Sequence, residues 1–183
     1  LPDVNEGFMI PAEIGFAARA AHLSQVDSVS SGALKVASQF LTFDYLWSEI
    51  RVKGGAYGTG CSTGFSGVVG LTSYRDPSPA QSLSTFLGVG DALRGLAQAG
   101  AQEITKYIIS TIAGQEPVLT PRLEGSQAAS LYLMGETTQR RQEKRSQMLR
   151  TTPADLEQVA DALDALLAKS GVCVIGGAAD DAH

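Results

Sequence analysis

Between Val36 and Tyr74 the apolar residues change their spacing once, at Gly54-Gly55, and that switch constrains the fold more than any other feature. Before it, Val36, Phe40, Phe43, Trp47 and Ile50 recur at intervals of four and three, the single stripe of a helix with one buried side. Phe43 and Trp47 are therefore expected where this helix meets the sheet. Paired glycines weaken a helix and permit left-handed backbone, so the helix stops there. After it, Ala56 to Thr63 and Val68 to Tyr74 read as two strands around the turn Gly64-Phe65-Ser66-Gly67, a hairpin.

The flanks fill in the architecture. Glu6 to Leu23 reads as extended, with Ile14, Phe16, Ala18 and Ala20 alternating as the buried side of a strand. Ser30 or Ser31 is placed to cap the main helix. Arg75-Asp76-Pro77-Ser78-Pro79 closes the hairpin, since two prolines cannot stay in a ladder. Helices are expected over about Ala80 to Ala97 and Gln102 to Ile112, the second with Ile104, Tyr107, Ile108 and Ile112 on one face. A polar helical stretch runs from Arg122 to Arg150, broken near Gly135. Thr152-Pro153-Ala154-Asp155 opens a last helix as N-cap, first-turn proline and returning carboxylate. Leu156, Val159, Leu163 and Leu166 form its stripe, and Val172 to Ile175 is a closing strand. Helices in a block after a few strands indicate α+β: a mostly antiparallel sheet covered on one face by helices. The 183 residues suit a single domain spanning 1–183, with no repeat or dividing linker. A start at Leu1 and not at Met is expected of a processing boundary, and the domain is expected to be the C-terminal one of a larger protein.

Composition excludes several functions. The formal net charge of -5 argues against nucleic acid as a partner. No apolar run approaches the roughly 20 residues that span a bilayer. Two cysteines rule out a dense disulfide framework and leave a single Cys61–Cys173 bond open. The only histidines are His22 and His183, without HExxH or HxxEH pairing, so no metal site is expected in this chain. There is no GxSxG elbow for a serine nucleophile. The run Gly54 to Gly60 follows a helix instead of opening one, which removes the usual phosphate cradle. The basic residues Arg140, Arg141, Lys144, Arg145 and Arg150 are interrupted by Glu143 and lack aromatic neighbours, as on a solvated helix face.

One constellation carries possible chemistry. Arg51 ends the main helix and Tyr57 begins the next strand across Gly54-Gly55. Dipole pairing explains an arginine at a helix C-terminus, and core packing explains a tyrosine entering a strand. The turn also allows a guanidinium and a phenol to project from one edge as donors for a peptide carbonyl or a developing oxyanion.

Asn5-Glu6-Gly7-Phe8-Met9-Ile10-Pro11, the stretch from Tyr45 to Gly58, and Ser73-Tyr74-Arg75-Asp76-Pro77 are three segments that resemble the last domain of presequence proteases, one branch of the insulinase (pitrilysin-type) metallopeptidases. The resemblance runs through nearly the whole chain in the same order. It implies a fold of the LuxS/mitochondrial-processing-peptidase-like metallohydrolase type, as the fourth of four homologous α+β domains in two bowl-shaped halves. It further implies zinc on an inverted HxxEH motif in the first domain, none bound by this chain, and unfolded peptides cut between the halves. Its partners would be the N-terminal zinc-bearing domains, with no nucleic acid or membrane. By the same resemblance Arg51 and Tyr57 match the residues that reach the substrate backbone, and Gly54 and Gly55 join them as expected substrate-binding residues. The compartment would be cytoplasmic in a bacterium and an organellar matrix in a eukaryote. A noncatalytic binding domain of the same fold, from a parent whose zinc motif has degenerated, is the alternative.

Overall fold

The structure is a computed structural model describing residues 5–177 other than 65 and 116. Its strands are β1 (Glu6–Met9), β2 (Gly15–His22), β3 (Gly58–Thr63), β4 (Val68–Asp76) and β5 (Gly171–Gly176). They form one five-stranded sheet in the order β1-β5-β2-β4-β3. The β1–β5 pair is parallel and the other pairs are antiparallel. The helices are α1 (Ser31–Phe40), continuing directly into a π-helical segment (Leu41–Lys53), then α2 (Pro79–Phe86), α3 (Val89–Ala99), α4 (Ala101–Gln115), α5 (Pro121–Leu133), α6 (Thr138–Leu149) and α7 (Pro153–Leu167). This is the expected α+β layer.

The two faces of the sheet differ. Ala17, Val69, Leu71 and Cys61 are buried on one face with Val36, Ala37, Leu93, Leu163 and Leu166 of the helices in a continuous core. Burying each Val or Leu side chain among them contributes about 1.5–3 kcal/mol. Residues of opposite parity, including Ala20, Thr72 and Tyr74, are exposed. The period-2 pattern of β2 is thus real, but its buried member is Ala17, and Phe16, Ala18 and Ala20 lie on the open face. Side-chain size misled here: the small Ala17 faces closely packed helices, while the larger Phe16 finds a ring partner on the open side.

The second correction concerns the main helix. Phe43 and Trp47 are exposed, at 62% and 38%, whereas Leu41, Leu46 and Ile50 are buried. The cause is the winding. In a π-helix each N–H reaches back five residues, so the inward residues recur at five and four. A stripe drawn with the α-helical period drifts onto the outer face after Phe40.

Most local signals were read correctly. Ser30 accepts from the Ala33 N–H. Thr152 and Asp155 form a reciprocal capping box, and Leu156, Val159, Leu163 and Leu166 are buried. The polar stretch does break, with Gly135 at φ 65°. The helix expected over 80–97 is instead two, because the chain breaks at Leu87-Gly88. There Tyr45 donates its hydroxyl hydrogen to the Thr85 carbonyl (3.1 Å). Both cysteines are free. Cys61 lies on the helix-covered face of β3, and Cys173 lies on the open face of β5, with β4 and β2 between them. Among the described residues, no helix is long and apolar enough to cross a membrane.

Candidate functional site

The site begins where the π-helical segment ends. Gly54 donates its N–H to Glu49 O (3.0 Å), Gly55 to Arg51 O (3.1 Å) and Ala56 to Ile50 O (3.1 Å). These bonds satisfy the terminal carbonyls and fold the chain tightly back. Gly55 has φ 80°, a conformation that suits glycine. A Cβ on Gly54 would stand 2.6 Å from Ile50 O, so a side chain there would force the turn open. Ala56 is buried and fixes the start of the strand. Because the glycine N–H groups are already used, Gly54 and Gly55 shape the site and do not cradle an anion.

Tyr57 comes next. Its N–H donates to Arg75 O (3.2 Å). Arg75 sits in left-handed backbone at φ 49°, beside a bulge where β4 carries one extra residue against β2. Such a backbone is unfavourable for a side-chain-bearing residue by about 1–2 kcal/mol. The bulge turns the Arg75 carbonyl toward Tyr57 and is anchored just beyond. Asp76 is buried and accepts from Ser78 N–H (2.8 Å) and the Ser82 hydroxyl (2.6 Å), tying the bulge to α2. The motif Ser73 to Pro77 thus supports Tyr57 from the neighbouring strand.

Arg51 projects from the last turn of the π-helical segment. Its guanidinium carbon lies 4.0 Å from the centroid of the Trp47 ring and 5.9 Å from that of Tyr57. Cation–π attraction of this kind contributes about 0.5–1 kcal/mol at exposed sites. The nearby Glu49 carboxylate is engaged by Lys53 at 2.6 Å, one turn along the same segment. Among the described residues, neither the Arg51 guanidinium nor the Tyr57 hydroxyl donates a hydrogen bond. Tyr57 is 66% exposed. The structure therefore brings Arg51 and Tyr57 together on one rim with their donors unspent. Sequence reasoning missed Trp47, which holds Arg51, and the Arg75 carbonyl, which holds Tyr57. The first had a visible signal in its spacing of four from Arg51; the second depends on a bulge that residue types do not announce.

The residues present do not fit a zinc site. Among those described, no group of three His, Cys, Asp or Glu side chains could hold a metal ion. His22 uses both ring nitrogens: Nδ1 accepts from Ser24 N–H (3.1 Å), and Nε2–H donates to Ser66 O (2.6 Å). His183 and the hairpin residue Phe65 lie outside the described residues. On α6, Arg140 and Arg141 are exposed, and Lys144 pairs with Glu136 at 2.9 Å, consistent with a solvated helix face.

Comparisons with known proteins speak to the family and the fold. A family model described as the PreP C-terminal domain matches residues 5–178. Presequence protease 1, chloroplastic/mitochondrial, of Arabidopsis thaliana is 35% identical over 182 residues. That match covers 99% of this chain and 17% of the relative, so the chain spans about a sixth of its length. The crystal structure of pitrilysin superposes with a TM-score of 0.67 at 15% identity, over 94% of this chain and 19% of pitrilysin. A peptidase inactive domain from Pseudomonas fluorescens gives a TM-score of 0.64 at 14% identity, covering 94% and 42%. At such identities the two structures speak for the fold alone. The family match runs through the turn that carries Arg51 and Tyr57 and through the supporting bulge, and the chain belongs to the presequence protease C-terminal domain family.

Proposed function

We propose that this chain is the substrate-clamping C-terminal domain of a zinc-dependent oligopeptidase that degrades unfolded peptides inside a closed chamber. The observation that carries this reading is the pair of unspent donors on one rim, Arg51 held over Trp47 and Tyr57 exposed beside it. Zinc belongs to another domain of the parent and supplies Lewis-acid chemistry there. Within this chain, Arg51 holds a substrate carbonyl, and its planar fork fixes that carbonyl's direction. Tyr57 donates to the oxygen on which charge develops, an interaction stronger in the transition state than in the ground state. Gly54 and Gly55 allow the peptide backbone to approach. Neither Arg51 nor Tyr57 serves as a base or metal ligand, so the chain completes a site and does not form one alone.

Kinetics of the full-length parent test this. Tyr57→Phe keeps the ring and removes one donor, and kcat is expected to fall about a hundredfold or more with little change in KM. Arg51→Ala is expected to raise KM as well as lower kcat, with Arg51→Lys recovering only part. Full activity in Tyr57→Phe with unchanged folding would leave Tyr57 a structural residue. A noncatalytic scaffold is the second reading, since an inactive peptidase domain shares the fold. An HxxEH motif upstream in the parent decides between the two.

A further inference from the structure

We propose that the open face of the sheet is a track for the flanks of a peptide substrate. It would receive apolar side chains about three to six residues from the bond presented to Arg51 and Tyr57. The proposal rests on the reading of those two residues given above and extends it away from the reacting bond.

The track is a row of apolar side chains, most of them rings. Arg51 lies against Trp47 and Tyr57. Tyr57 meets Tyr74 edge-on at 6.0 Å between centroids, and Tyr74 meets Phe16 in the same way at 5.4 Å. Register then places Ile175 beside Phe16 and Phe8 beside Ile175. Strand parity puts Tyr74, Phe16, Ile175 and Phe8 on the face opposite the helices, so the row crosses β4, β2, β5 and β1 roughly at right angles to the strands. Tyr74 and Phe8 are half exposed, at 50% and 52%.

Beside the row the same face is nearly flat. The next cross-strand line is Gly60, Thr72, Ala18 and Cys173, and the one after is Ser62, Gly70, Ala20 and Gly171. Small side chains leave a trough along one flank of a raised aromatic ridge. An extended backbone fits such a trough with alternate side chains turned against the ridge. The occupant must also come and go. Tyr57 is the ridge's own end, so a domain seated permanently over Tyr74 would crowd the donors that the substrate has to reach. A transient unfolded peptide meets both conditions. The Phe16 ring lies no more than about 11 Å from that of Tyr57, or roughly three extended residues, and two further strands bring Phe8 to about six.

The test uses the full-length parent and two peptides that differ only in carrying Phe or Ser at positions three to six from the cut. Tyr74→Ser and Phe8→Ser are made separately, the second at the exposed end of the ridge where folding is least at risk. Each is expected to lower kcat/KM for the Phe peptide about threefold to tenfold more than for the Ser peptide. Equal losses on both peptides overturn the track, and with a lowered melting temperature they assign the face to a docked domain. No loss on either peptide overturns it as well. Arg51→Ala separates the two levels of the argument. If it leaves kcat/KM unchanged, the proposed function fails. If it lowers kcat/KM for both peptides while the ridge variants do not discriminate, only the track fails.

Discussion

At the scale of single residues, the surroundings decide which reactive groups are usable. Cys61 is a thiol that the fold silences. Burial pushes it up to about 11, against smaller opposing effects of Ser38 and Lys35. The folded chain therefore keeps Cys61 neutral at a pH where the unfolded chain has begun to ionise it. The stability held through this group is complete below pH 9 and drains away as the pH rises toward 11. Tyr45 and Tyr107 act in the same direction, both raised chiefly by burial. Denaturant unfolding at pH 8 and pH 11 is expected to show the parent sequence losing about 2–3 kcal/mol more than Cys61→Ala over that interval. Parallel pH profiles for the two proteins would remove Cys61 from the account. Arg51 and Tyr57 present the opposite case. Their residue types, flanking a glycine turn, were legible as a donor pair, but that no described residue takes a hydrogen bond from the Arg51 guanidinium or the Tyr57 hydroxyl becomes visible only in three dimensions.

At the scale of elements, legibility followed the locality of the signal. Caps, glycine stops and the α7 stripe involve residues within a turn or two of one another, and each was read correctly. The π-helical winding could not be read, because it depends on how the segment packs between β3 and α3 and leaves the residue types unchanged. The same winding withdraws Trp47 from the core and sets it against Arg51. Two substitutions on this one element should therefore separate stability from function. Leu46 is fully buried, and Leu46→Ala is expected to cost about 2–5 kcal/mol. Trp47→Ala is expected to cost well under that, because its ring is partly in solvent, yet to raise KM of the parent through the loosened Arg51. Thermal melts and steady-state kinetics on the pair check this. A Trp47→Ala loss matching that of Leu46→Ala would show the tryptophan to be a core residue after all.

At the scale of the whole molecule, the helices cover one face of the sheet and leave the other to whatever lies beyond this chain. Alternation along β2 announced a two-sided strand, but only the position of the helices told which side was in, and the size of Phe16 pointed the wrong way. The pair proposed to act, Arg51 and Tyr57, lies at one end of the aromatic row. Arg51 offers only N–H donors and Tyr57 a phenol; both ring nitrogens of His22 are engaged by Ser24 and Ser66; among the described residues no group of three His, Cys, Asp or Glu could hold a metal. A peptide bond presented to this rim alone would be oriented and polarised, with nothing to attack it. The isolated chain is therefore expected to retain no stoichiometric zinc after purification and to cleave no peptide, and a chelator should leave its melting curve unmoved. The full-length parent should lose activity to the same chelator. Metal analysis, a peptide-cleavage assay and melts with and without chelator make the comparison in one experiment. Tight zinc in the isolated chain, together with cleavage that chelation abolishes, would show that this domain holds a complete site of its own and that the division of labour between it and the rest of the parent is wrong.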